Sequence, residues 1–113
     1  MTADRSRAAA KKKTNGPVVD ARTIAGVSEL FKILGDPTRM HILAALAEKK
    51  LCVQAIADEV GVTQSAVSHQ LRTLKTMRLV APKRSGKQIV YSLADKHVDT
   101  MLQMAIRHFA ERN

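Results

Sequence analysis

Gly61 is the residue that most narrows what this chain can fold into. It follows a short segment, Val53 to Val60, with helical patterning, and it precedes Thr63, a side chain suited to capping a helix that runs to about Met77. A short helix, a tight glycine turn and a second helix predict a helix-turn-helix over Gln54 to Met77. In the second helix the 3.6-residue period puts Val67, Leu71 and Leu74 on one face and leaves Ser65, Ser68, His69 and Arg72 on the other. Gln64 lies near the N-terminal end, where a reading helix meets bases. Small hydroxyls permit close approach, and Gln and Arg offer paired hydrogen bonds to adenine and guanine edges. The candidate DNA contacts on this helix are Thr63, Gln64, Ser65, Ser68, His69 and Arg72.

After Met77 the period changes from helix to strand. Leu79 to Lys83 and Gln88 to Leu93 read as strands, joined by Arg84, Ser85, Gly86 and Lys87, with Ser85 and Gly86 supplying the turn chemistry of a β-hairpin. Behind a helix-turn-helix such a hairpin is a wing, and its Lys83, Arg84 and Lys87 are placed to hold a phosphate backbone or enter a minor groove. Charge agrees. From Val60 to Ala94 there is no Asp or Glu, while Arg72, Lys75, Arg78, Lys83, Arg84 and Lys87 are all positive. A solvated face mixes signs; an acid-free stretch across reader and hairpin fits a surface held against phosphates. The formal net charge of +9 points the same way, towards double-stranded DNA as the polyanionic partner.

Upstream, Ile24, Val27, Phe31 and Leu34 repeat at helical spacing, and Gly35 ends that helix. Asp36 caps and Pro37 opens a second helix, with Met40, Leu43, Leu46 and Ala47 as its inward residues and His41 as a structural residue. Residues 1–19 carry five Lys or Arg and the breaker group Thr14, Asn15, Gly16 and Pro17, and are expected to form a disordered basic N-terminal arm before a domain over 20–113. A 113-residue chain makes one small domain whose core gains from dimerisation. No apolar run reaches the length of a membrane span, and charged residues stand where a signal peptide needs an apolar core, so a cytoplasmic protein is expected. One cysteine, Cys52, excludes an internal disulfide, fits a reducing compartment and reads as a small buried hydrophobe.

The last predicted helix, about Asp95 to Glu111, has an apolar stripe of Val98, Met101, Leu102, Ala105 and Phe109, and also carries four metal-competent side chains, Asp95, His97, His108 and Glu111. Eleven residues separate His97 from His108. That is about 16 Å of helix, so the two ends cannot share one ion within a protomer. Eleven steps of about 100° nevertheless return to nearly the same face. Antiparallel pairing with a second copy would bring Asp95 and His97 of one helix to His108 and Glu111 of the other, giving two symmetric four-ligand sites across a dimer axis. Two imidazoles and two carboxylates suit zinc, or cobalt as a surrogate, in tetrahedral geometry. The plainer alternative makes Asp95 only a helix cap, His97 and His108 surface histidines, and Glu111 a solvated charge.

The run Phe31 to Met40, the stretch Leu51 to Val53, the segment Val67, Ser68, His69, Gln70 and Leu71, and the four C-terminal residues together resemble the ArsR/SmtB family of metal-sensing winged-helix repressors, over roughly Val19 to Arg112. The spacing of Asp95, His97, His108 and Glu111 is similar to that of the family's zinc sensors. The resemblance implies a repressor that binds an inverted-repeat operator as a homodimer and leaves it when zinc binds across the C-terminal helices, derepressing metal efflux or sequestration genes. It also implies that His108 hydrogen-bonds backbone near His69 and so couples metal to the reading helix. The chain departs from relatives with a second, thiolate-containing site. Its arm has no Cys or His, Ala55 stands where a carboxylate is expected, and Cys52, Val53, Gln54 replaces the two cysteines of arsenic sensors. Soft ions select thiolates, which leaves zinc as the expected metal. Nickel sensors of the family recruit further histidines near the chain ends, and none stands there in this sequence.

The expected fold class is mainly α with a small β-hairpin: a winged helix-turn-helix that dimerises. An enzyme is not expected, because four protein ligands close a metal site to water and no nucleophile motif or phosphate-cradling glycine loop occurs among five glycines. The competing reading is a winged-helix regulator that senses no metal, or another divalent ion such as cobalt or nickel.

Overall fold

The computed structural model describes residues 19–111. The expected arm, residues 1–19, therefore lies outside the described residues except for Val19. The chain divides into two compact units, residues 1–32 and 33–113. Helix α1 (Ala21–Leu34) begins in the first and ends in the second. Asp20 starts it: its Oδ1 accepts the Thr23 N–H at 2.8 Å, and that bond holds the carboxyl below the usual carboxylate range. Along α1, Ile24, Val27 and Phe31 are all exposed.

In the second unit the order is α2 (Pro37–Glu48), β1 (Leu51–Cys52), α3 (Val53–Val60), α4 (Gln64–Thr76), β2 (Val80–Ser85), β3 (Gln88–Leu93) and α5 (Lys96–Ala110). Asp36 caps α2 as expected, its Oδ2 accepting the Arg39 N–H at 3.0 Å, with Pro37 in the first turn, where its missing N–H costs nothing. The inward face differs from the sequence expectation. Ile42, Leu43, Ala45 and Leu46 are buried, whereas Met40 and Ala47 are half-buried. The reason is that α2 packs against α3, α4, α5 and β3, so apolar residues on more than one side are covered and no single stripe identifies them.

Local turn chemistry explains the helix-turn-helix. Gly61 takes φ 82° at the end of α3, in the left-handed region, with its N–H on the Ala57 carbonyl at 2.8 Å. Two residues later the Thr63 Oγ1 accepts the Ala66 N–H at 3.0 Å and starts α4. Ile56 from α3 and Val67, Leu71 and Leu74 from α4 are buried in the core with Ile42, Leu43 and Leu102.

The end of α4 is less ordinary. The Leu79 N–H bonds the Leu74 carbonyl and the Arg78 N–H bonds the Lys75 carbonyl, both at 2.9 Å, which is the paired pattern of a Schellman cap closed by the buried Leu74 and Leu79. Arg78 therefore adopts φ 59°, where glycine is the usual occupant. A side chain there costs about 1–2 kcal/mol, against about 0.5–1 kcal/mol of extra chain entropy that a glycine would lose on folding. Arg78→Gly is expected to stabilise the folded chain by up to about 1 kcal/mol, read as a higher denaturation midpoint at unchanged m-value. A lower midpoint would show that the guanidinium makes contacts outweighing the backbone strain.

The sheet has three antiparallel strands in the order β1, β3, β2. Pairing of β2 with β3 runs from Val80 opposite Leu93 to Ser85 opposite Gln88, leaving only Gly86 and Lys87 as the turn. Arg84 and Ser85 are thus in the ladder and not in the loop, two residues beyond the expected strand end. Gly86, at φ 64°, supplies the first position of a tight hairpin turn. Strand β1 was not expected from sequence: Leu51 pairs with Tyr91 and Cys52 with Val90. Its two residues carry no period of their own, and their partners lie in a distant strand. Among the described residues no helix is long and apolar enough to cross a membrane.

Candidate functional site

The polar face of α4 stands free. Gln64, Ser65, Ser68, His69 and Arg72 are exposed, opposite the buried Val67, Leu71 and Leu74. Thr63 is exposed as well, but its oxygen is committed to the Ala66 N–H, so only its hydroxyl hydrogen remains to meet a phosphate. Lys83, Arg84 and Lys87 are exposed on the hairpin. Lys83 stands opposite Val90 and Arg84 opposite Ile89, so the strand's alternation directs these two to opposite faces. A nucleic-acid backbone laid along one face meets one of them directly, together with Lys87 from the turn.

Sequence reasoning missed Arg39 and the use made of Gln70. The Arg39 Nε donates to Gln70 Oε1 at 2.7 Å and its Nη1 donates to the Ile33 carbonyl at 3.1 Å. Nothing local announces a bond between residues 31 positions apart.

At the other candidate site, Asp95 is a helix cap: its Oδ1 accepts the Val98 N–H at 3.0 Å. Capping and metal binding are compatible, because among the described residues the second oxygen takes no hydrogen bond and the carboxylate is 56% exposed. His97 is fully open to solvent, with Nδ1 3.7 Å from Asp95 Oδ1. The two therefore form an adjacent donor pair at the start of α5. His108 and Glu111 are exposed at its far end, with the His108 ring edge-on to Phe109 at 5.1 Å. Glu111 occupies the C-cap, where unpaired carbonyls make an anion unfavourable and a nearby cation favourable. Two imidazoles and two carboxylates are a donor set that suits a borderline cation. Within the single chain, no three His, Cys, Asp or Glu among the described residues gather into a metal-holding group.

Among the described residues neither the His108 nor the His69 side chain makes a hydrogen bond, and the implied link from His108 to backbone near His69 is one that bound metal would fix. Two smaller expectations change. Cys52 is half-buried in β1, not fully enclosed, and His41, expected as a structural residue, is exposed on α2. On α5 the apolar stripe divides: Val98 and Leu102 are buried and Met101 is half-buried, while Ala105 and Phe109 are exposed, Phe109 at 67%, as are Met104 and Ile106 beside the stripe.

Comparison with known proteins places this geometry. The profile described as bacterial regulatory protein, arsR family, matches residues 36–81, from the cap of α2 into β2. The chain is 44% identical over 85 residues to a transcriptional repressor SmtB homolog from Synechocystis, a match that covers 75% of this chain and 64% of that protein. It is 43% identical over 90 residues to the HTH-type transcriptional regulator NmtR of Mycobacterium tuberculosis, covering 80% of this chain and 75% of the relative. Its structure is similar, with a TM-score of 0.73 at 26% identity, to the homodimeric winged helix-turn-helix DNA-binding domain Mb0332 from Mycobacterium bovis, covering 88% of this chain and 95% of that one.

Proposed function

Because the chain belongs to the ArsR family of bacterial regulatory proteins, we propose that it is a zinc-responsive transcriptional repressor that binds an inverted-repeat operator as a homodimer and releases it when zinc is bound, so that metal efflux or sequestration genes are expressed. The reading places the DNA-binding and dimerisation domain at 20–113. Gln64, Ser65, Ser68, His69 and Arg72 face the bases, Thr63 steadies the start of α4, and phosphates are held by Lys87 together with whichever of Lys83 and Arg84 lies on the DNA-facing side of the hairpin. Support comes from the exposure of all these side chains beside a stretch without acidic residues.

One observation carries the metal assignment. A single helix presents an open Asp95–His97 pair at its start and an open His108 and Glu111 at its end, with exposed Met104, Ile106 and Phe109 near that end for a partner to cover. Asp95 and His97 would hold zinc together with His108 of the partner subunit and Glu111 of the partner subunit. The ion would supply a fixed join between two helix ends. A second ring nitrogen on His108, hydrogen-bonded to backbone near His69, would tie that join to α4, since neither imidazole is committed elsewhere in the described chain. Zinc suits the donor set; a thiolate-selecting ion does not, with Cys52 alone.

Metal counting after dialysis tests the assignment, and Asp95 allows two roles to be separated. Asp95→Asn keeps a capping oxygen but removes the anionic donor, whereas Asp95→Ala removes both and should cost about 0.5–2 kcal/mol of stability through the lost cap. The wild-type dimer is expected to retain two zinc ions and both variants none, with only the alanine variant less stable. Full zinc retention by Asp95→Asn would reduce Asp95 to a cap. Cobalt provides a second readout, since tetrahedral coordination gives it a visible absorption signature.

A further inference from the structure

We infer that Arg39 is a positioning residue for DNA reading: its guanidinium fixes the orientation of α4 by joining Gln70 to the Ile33 carbonyl, without touching DNA itself. The inference rests on the reading of α4 as the DNA-reading helix. Ile33 lies in the last turn of α1, among the four residues whose carbonyls have no partner within the helix. The Arg39 Nη1 supplies that partner at 3.1 Å, and Nε of the same planar group supplies the 2.7 Å bond to Gln70 Oε1. Arg39 is itself held, its backbone N–H bonded to Asp36 Oδ2 at 3.0 Å in the first turn of α2. One rigid fork thus joins two acceptors, from a residue whose own backbone is fixed at the start of α2.

Gln70 makes this a matter of reading and not only of stability. It is half-buried, on the flank of α4 between the buried Leu71 and the exposed His69, so its side chain sets how α4 is rolled about its own axis. A roll of a few degrees re-aims Ser65, Ser68, His69 and Arg72 together. The core contacts of Val67, Leu71 and Leu74 hold α4 in place, but apolar packing is non-directional and resists roll less than a directional, charge-assisted bond does. Lysine cannot substitute, since a single ammonium lacks the planar fork that serves two acceptors in fixed directions.

The test is a double-mutant cycle on the full chain with Arg39→Ala, Gln70→Ala and the pair. Operator and random-sequence duplexes are titrated across salt, and amide hydrogen exchange of α4 is measured without DNA. Each single variant is expected to lose about tenfold of its operator-over-random preference, with the double variant no worse than either single. The slope of affinity against salt should stay that of the wild type, and α4 amides should exchange faster in all three variants. Gln70→Glu, which keeps the acceptor, should preserve the slow exchange. A salt slope reduced by about one phosphate in Arg39→Ala would make Arg39 a direct backbone contact and overturn the proposal. Additive losses, or unchanged preference in either single variant, would overturn it too. If the wild type itself shows no operator preference, the DNA-reading assignment of α4 fails instead, and the exchange data still decide whether the fork holds α4.

Discussion

A mixed dimer with His97→Ala on one protomer and His108→Ala on the other is expected to bind one zinc tightly, although each variant alone forms a dimer that binds none tightly. The His97 and His108 positions of one α5 are about 16 Å apart along the helix, too far to share an ion. If each site takes Asp95 and His97 from one chain and His108 and Glu111 from the other, both lesions of the mixed dimer fall in the same site and the second keeps all four donors. In either homodimer both sites lose one imidazole. Differently tagged chains, refolded together and purified by both tags, supply the species, and zinc is counted after dialysis. A mixed dimer that retains no zinc would mean that the ligands are not shared between chains.

The parts of this molecule that could be read from sequence are those whose causes are local. Gly61, Thr63 and Asp36 act within a turn or two of their own positions, and each does in the structure what its residue type implies. Val67, Leu71 and Leu74 share a face because α4 is covered on one side only. Where several neighbours cover a helix, as with α2, the periodic signal fades and Ile42, wholly buried, goes unnoticed. Strand β1 and the bond from Arg39 to Gln70 depend on partners far along the chain, which no window of sequence contains. The candidate metal residues are an intermediate case. Their spacing raises the expectation of two half-sites, and the structure leaves both ends of α5 exposed, but no metal-holding group forms among the described residues of one chain, so contacts within it do not reveal a shared site.

The second large effect concerns the switch. Zinc changes DNA affinity only if the DNA-bound arrangement of the dimer and the arrangement that completes the metal site differ, since a ligand with equal affinity for both shifts nothing. Two reading helices on a twofold axis must meet successive major grooves about 34–36 Å apart, and few relative orientations of the protomers allow it. Zinc joining the start of one α5 to the end of the other would restrict that orientation independently. Coupling between distinct sites is commonly about 1–3 kcal/mol, or about 5- to 150-fold in affinity.

The direct measurement is operator affinity at one salt concentration with saturating zinc and with a chelator in excess, for the wild type and for His97→Ala. The expected result is weaker operator binding by the wild type in zinc, by about 5- to 150-fold, and no zinc dependence in the variant. Equal or tighter binding of the wild type in zinc would contradict it.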